Sequence, residues 1–128
     1  MIFEETIILS EPFDEVLAKV KEAFAAEGFG TLTEIDLQAT LKAKLGKEMP
    51  AHVIVGACNP HLASRALDAL PQIGVLLPCN VCVRESDAGI VVEAMDPGLM
   101  GSITDNEEVQ PVAREARELI NNALARLT

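Results

Sequence analysis

The sequence has no Trp and no Tyr, and only four Phe: Phe3, Phe13, Phe24 and Phe29. Aromatic platforms on which bases stack are therefore scarce. Cations are scarce too, 10 Lys and Arg against 20 Asp and Glu, for a net charge of −10. A nucleic-acid partner needs a basic face, so none is expected. Anionic lipid surfaces are excluded by the same sign of charge. No apolar run approaches the roughly 20 residues of a membrane span. The first residues, Met1-Ile2-Phe3-Glu4-Glu5, are acidic and run straight into an extended segment, which does not read as a secretion signal. Three cysteines without such a signal point to a reducing cytoplasm. Gly28 and Gly30 lack the third glycine and following lysine of a phosphate loop, no serine sits in a nucleophile elbow, and no cofactor is expected.

What is plentiful is hydrocarbon. Apolar residues make up 49% of the 128-residue chain before the eight glycines are counted. A chain of this length reads as a single domain, residues 1–128, able to build a core without metal or disulfide. The apolar excess points to a homodimer.

Residues 2–9, rich in Ile and Thr, read as a strand. Ser10 is the expected cap of a helix with Asp14 and Glu15 in its first turn and Phe13, Val16, Leu17, Val20 and Phe24 on one face. Gly28 stops it. Residues 29–35 alternate as a second strand. Asp36 caps a short helix with Leu37, Leu41 and Leu45 on its inner face and Gly46 at its end. The continuous apolar run of residues 52–58 is strand-length. Asn59-Pro60 is favoured helix-start chemistry, with Leu62, Ala63, Ala66, Leu67 and Leu70 facing inward until Pro71. Residues 75–84 and 89–95 read as a hairpin turned at residues 86–89. A loop with Pro97, Gly98 and Gly101 follows. Thr104 and Glu107 have capping-box spacing, and a last helix from about Gln110 carries Val112, Ala116, Leu119, Ala123 and Leu127 inward. The order β-α-β-α-β-α-β-β-α predicts an α+β, two-layer domain, a mostly antiparallel sheet with helices packed on it.

Two Cys-Asn dipeptides carry the chemistry. Cys58-Asn59-Pro60 sets a thiol just before a helix N-terminus, where the dipole favours thiolate. The plain alternative is a small buried strand-end residue. Cys79-Asn80 repeats the dipeptide at another strand boundary, and Cys79 and Cys82 form C-x-x-C. A redox C-x-x-C belongs at a helix start, whereas Leu, Val and Val around this one predict a strand, where positions three apart face opposite sides. Cys58, His61, Cys79 and Cys82 are zinc-type donors, but one pair straddles a helix start and the other an apolar strand, so no metal site is assigned. His52 reads as structural. Lys42, Lys44 and Lys47 read as a solvated face, and Glu93, Asp96 and Asp105 have no spacing that marks a catalytic pair.

The expected site is thiol-centred. Cys58 and Cys79 are the reactive pair; Asn59, Asn80 and His61 are the ligand-binding neighbours. A small molecule or a thiol partner is the expected ligand, and redox, persulfide or small-ligand handling the expected task. The alternative is a non-enzymatic binding or homodimeric assembly domain in which the Cys-Asn dipeptides cap and pack. The pair can meet if residues 72–76 climb back along the ~15 Å of a ten-residue helix, since five extended residues reach up to ~17 Å.

In residues 27–36 (EGFGTLTEID), 55–60 (VGACNP) and 73–81 (IGVLLPCNV), and in the spacing between them, the chain resembles the domain of unknown function 302 family. That resemblance implies a small α+β fold with a helix-packed antiparallel sheet, often dimeric. It carries over onto Cys58, Asn59, Pro60, Pro78, Cys79 and Asn80, and it departs at Cys82, where an apolar residue is usual. The family brings no established activity, and the resemblance implies a loose association with sulfur metabolism.

Overall fold

A computed structural model describes residues 6–128. Five strands form one antiparallel sheet: β1 (Ile7–Leu9), β2 (Gly30–Asp36), β3 (His52–Cys58), β4 (Cys79–Ser86) and β5 (Gly89–Ala94), in spatial order β1-β5-β4-β3-β2. The helices are α1 (Phe13–Ala26), α2 (Leu37–Leu45), α3 (Pro60–Ala69), α4 (Gly98–Thr104) and α5 (Val109–Ala125). This is the α+β arrangement expected from the order of elements. Residues 2–5 of the expected first strand lie outside the described residues.

The sheet is two-faced because side chains alternate. Val53, Val55 and Ala57 of β3 pair with Val83, Val81 and Cys79 of β4, and Val83 and Val81 pair with Val92 and Ala94 of β5. All of these are buried, in one cluster with Val16, Val20 and Phe24 of α1, Leu62 and Ala66 of α3, and Val112, Ala116, Ile120 and Leu124 of α5. The helices α1, α3 and α5 therefore cover this face. The opposite face carries His52, Ile54, Cys82, Arg84 and Glu93, all half-buried, with Arg84 Nε donating to Glu93 Oε1 at 2.9 Å.

Four local expectations are corrected. Ser10 is not the α1 cap; Pro12 holds that position with no side-chain bond, because Pro supplies the helical φ at the first turn without an N–H to satisfy. Residues 75–76 are not strand. They finish a 3-10 helix, Pro71–Leu76, so β4 begins only at Cys79. The Pro- and Gly-containing segment after β5 is helix α4, not loop, started by Asp96 Oδ1 accepting from the Gly98 N–H at 2.8 Å. Thr104 and Glu107 form no capping box: Thr104 Oγ1 donates back to Met100 O, and Asn106 Oδ1 accepts from the Glu108 and Val109 N–H groups to start α5.

The second helix forms where expected, capped by Asp36 Oδ1 on the Ala39 N–H and closed by Gly46 at φ 66°. Its expected inner face is only half-covered: Leu37 and Leu41 are half-buried and Leu45 is exposed. No residue of α2 is buried, and none of the seven residues of β2 is either. A bulge between Thr31 and Thr33 displaces β2 against β3, and Leu32, Ile35 and Leu45 are 64%, 45% and 73% exposed.

Candidate functional site

The site forms where β3 ends and β4 begins. In the β3–β4 ladder Ala57 stands opposite Cys79, so Cys58 lies one step beyond that pairing. Directly opposed Cα atoms are about 5 Å apart and a step along a strand adds about 3.3 Å, which puts the two cysteines on a diagonal of about 6 Å. Regular alternation would aim them at opposite faces. Cys58, however, is the last residue of β3, and the chain leaves the sheet there to start α3.

Asn59 makes that exit. Its extended backbone and its side chain, with Oδ1 accepting from the Leu62 N–H at 3.3 Å, cap α3, and Pro60 occupies the first turn. Its amide also packs on Gly28, where a Cβ would stand 3.0 Å from Nδ2. Gly28, at φ 87°, turns the chain out of α1 toward Phe29 and β2. Phe29 is buried edge-on to Phe24, ring centroids 6.3 Å apart. From the other side the 3-10 helix delivers Leu77, Pro78 and Cys79, and the Leu77–Pro78 peptide is cis.

These elements border a partly open cavity of about 30 Å³, lined by Cys58 and Cys79 together with Phe29, Asn59, Pro78 and Met100, and by residues of α3 and α5. That is room for an occupant of one or two heavy atoms. Its walls are almost wholly hydrocarbon and sulfur. Cys58 is half-buried, whereas Cys79 is 6% exposed. Burial, and secondarily the charge of Cys58, pushes the Cys79 thiol up to about 11. At neutral pH it is held protonated.

The other sequence-named residues lie elsewhere. His61 is exposed on α3 and lines no part of the cavity. Asn80 is exposed, opposite Gly56 on the far side of the sheet from Cys79. Cys82 pairs with Ile54 and Glu93 on that far face, so the C-x-x-C thiols point apart, and burial followed by the charge of Glu93 raises its pKa. The four zinc-type donors thus do not converge. Among the described residues no group of three or more His, Cys, Asp or Glu side chains could hold a metal ion.

Sequence reasoning missed Met100, Phe29 and Gly28 as parts of the site. Met100 falls in the segment read as loop, and nothing in its neighbours marks it. Gly28 and Phe29 lie within the family-like stretch but carry no chemistry that singles them out.

Comparison with known proteins agrees with this architecture. The family profile described as "Domain of unknown function DUF302" matches residues 5–127. A solved structure of an uncharacterized conserved DUF302 protein from Bacillus stearothermophilus is similar at a TM-score of 0.90 and 23% identity, over 100% of this chain and 99% of that one. Among curated proteins nothing matches.

Proposed function

Because the chain belongs to the family described as Domain of unknown function DUF302, whose description carries no activity, we propose a function from its site alone: binding of a small, soft, thiol-seeking ligand by the Cys58–Cys79 pair. The observation that carries this reading is that both cysteines line one small, nearly apolar cavity. Cys58 is the thiol that solvent reaches; Cys79 is the buried partner, kept protonated until a ligand displaces its proton. Asn59 holds the cap that turns Cys58 toward the cavity. No general base lines the cavity, which favours a binding or carrier role over catalysis. Free thiols of this kind suit a reducing compartment such as the cytoplasm.

The test compares reagents of two sizes on the folded protein at neutral pH, with the modified cysteines mapped by mass spectrometry. Methyl methanethiosulfonate, only a few atoms in size, is expected to label Cys58 and then Cys79. A bulky aromatic disulfide is expected to leave Cys79 untouched. Neither Cys58 nor Cys79 labelled by the small reagent before unfolding would refute the reading.

A second reading rests on a separate observation. Sixteen consecutive residues, β2 and α2, form regular structure with none of them buried. A nine-residue helix has little stability of its own. Homodimerisation through the β2 edge and α2 supplies the missing cover, and it accounts for the apolar excess.

A further inference from the structure

Three sulfur atoms belong to residues that line one cavity. Cys58 comes from the end of β3, Cys79 from the start of β4 and Met100 from α4, so the chain brings together residues 58, 79 and 100 from three separate elements. No His, Asp or Glu lines this cavity, and the one polar side chain that does, Asn59, already spends its oxygen on the cap of α3. A donor set of thiol, thiol and thioether without nitrogen or carboxylate is soft throughout.

We propose that the ligand of this site is Cu(I), held by the sulfurs of Cys58 and Cys79 with the Met100 thioether as third donor. The proposal rests on the dithiol reading above and names its ligand class. Thiolate and thioether donors select Cu(I) among the first-row ions, whereas Zn(II) in a structural site wants four donors and Mg(II) or Ca(II) wants oxygen. A set of two thiols and one thioether therefore suits an ion that accepts few ligands. The cavity, at about 30 Å³, takes an occupant of one or two heavy atoms, which a bare ion satisfies. Binding is a simple exchange: two thiols and one Cu(I) give a copper dithiolate and two protons, with no change of oxidation state. The complex carries one more negative charge than the free site. The N-terminus of the ten-residue helix α3, directly after Cys58 and Asn59, places positive dipole beside that charge.

The buried position of Met100 supports the assignment. Its side chain is 5% exposed, in a short helix otherwise rich in small residues, and α4 is held onto α5 by Gln110 Nε2 donating to Gly101 O at 2.6 Å. The thioether is thus presented from an anchored element rather than from a free loop.

The test uses the full, reduced chain under anaerobic conditions, with Cu(I) supplied as its coloured bicinchoninate complex. The chain is expected to withdraw one Cu(I) per molecule, with a thiolate-to-copper charge-transfer band in the ultraviolet. Cys58→Ser and Cys79→Ser are each expected to weaken uptake by at least ~10-fold, and Met100→Leu, close in volume, to weaken it by roughly 10-fold with the fold intact. Cys82→Ser is expected to leave uptake unchanged. Failure to compete with bicinchoninate overturns the proposal, as does uptake that follows Cys82 instead of Cys58 and Cys79. Uptake indifferent to Met100→Leu overturns the third donor. Labelling of Cys58 by methyl methanethiosulfonate in a chain that ignores Cu(I) would sink only the copper assignment; absence of both would sink the dithiol reading with it.

Discussion

At the scale of single residues, the site depends on positions where nothing larger fits. Gly56 in β3 lies opposite Asn80, and a Cβ there would run into Thr33 Oγ1 and stand 2.8 Å from Pro78 Cγ. Pro78 leads into Cys79, so this contact couples the backbone of β3 to the cavity rim. Gly56→Ala is expected to destabilise the fold by about 1–3 kcal/mol, as overpacking does, measured by chemical denaturation. Cys79 gives a prediction in pH. Its folded pKa, about 11, lies above the ordinary thiol value of 9.0, so between these values the unfolded chain loses the proton that the folded chain keeps. Stability contributed by this thiol is present below pH 9 and falls as pH rises toward 11, by an amount on the order of 2–3 kcal/mol. Denaturation curves of the wild type and of Cys79→Val are expected to diverge across that window, with the variant losing less; parallel curves would contradict the burial of the thiol.

Elements show where chain-local chemistry was enough and where it was not. Asn59-Pro60 is a complete local instruction: the side chain caps, the ring fits the first turn, and α3 starts where the dipeptide says it should. Asn59→Ala is expected to lower stability by about 1 kcal/mol, roughly 3–6 °C in melting temperature for a chain of this size. Asn59→Asp, which retains the acceptor, is expected to recover most of it. Asp36 and Gly46 bracket α2 in the same local way. By contrast, residues 75–76 are apolar and β-branched enough to read as strand, yet they close a 3-10 turn because the chain must return from the end of α3 to the start of β4. Helix α4 was illegible because Pro97, Gly98 and Gly101 read as punctuation. The Asp96 side chain and the Gln110 contact, one local and one from α5, override that reading. Met100 was invisible as a site residue for the same reason.

For the whole molecule, the unusual feature is the imbalance between the two ends of the sheet. The β4–β5 region is packed under α1 and α5, while no residue of β2 or α2 is buried. A sheet edge with Leu32 and Ile35 exposed, next to a helix with Leu45 exposed, is a surface that single soluble chains seldom leave uncovered. Light scattering is expected to give twice the 13.7 kDa chain mass, and Leu32→Asp with Leu45→Asp to return the monomer with its secondary structure intact. Since each copy carries −10, association is expected to strengthen as added salt screens the repulsion. A monomer at all salt concentrations would leave β2 and α2 without the partner proposed for them. Among the described residues no helix is long and apolar enough to cross a membrane.

Hydrophobic period, helix caps and turn glycines act over a few neighbouring residues, and so the five strands and the helices other than α4 and the 3-10 helix, the α+β class and the opposed aim of Cys79 and Cys82 were already determined along the chain. Which side chains share a cavity is a different kind of fact. The meeting of Cys58, Cys79 and Met100 requires β3 to pair with β4 in one register, the 3-10 helix to bring the chain back, and α4 to dock on α5. Those arrangements are decided by packing between segments tens of residues apart, and no local pattern encodes their distance.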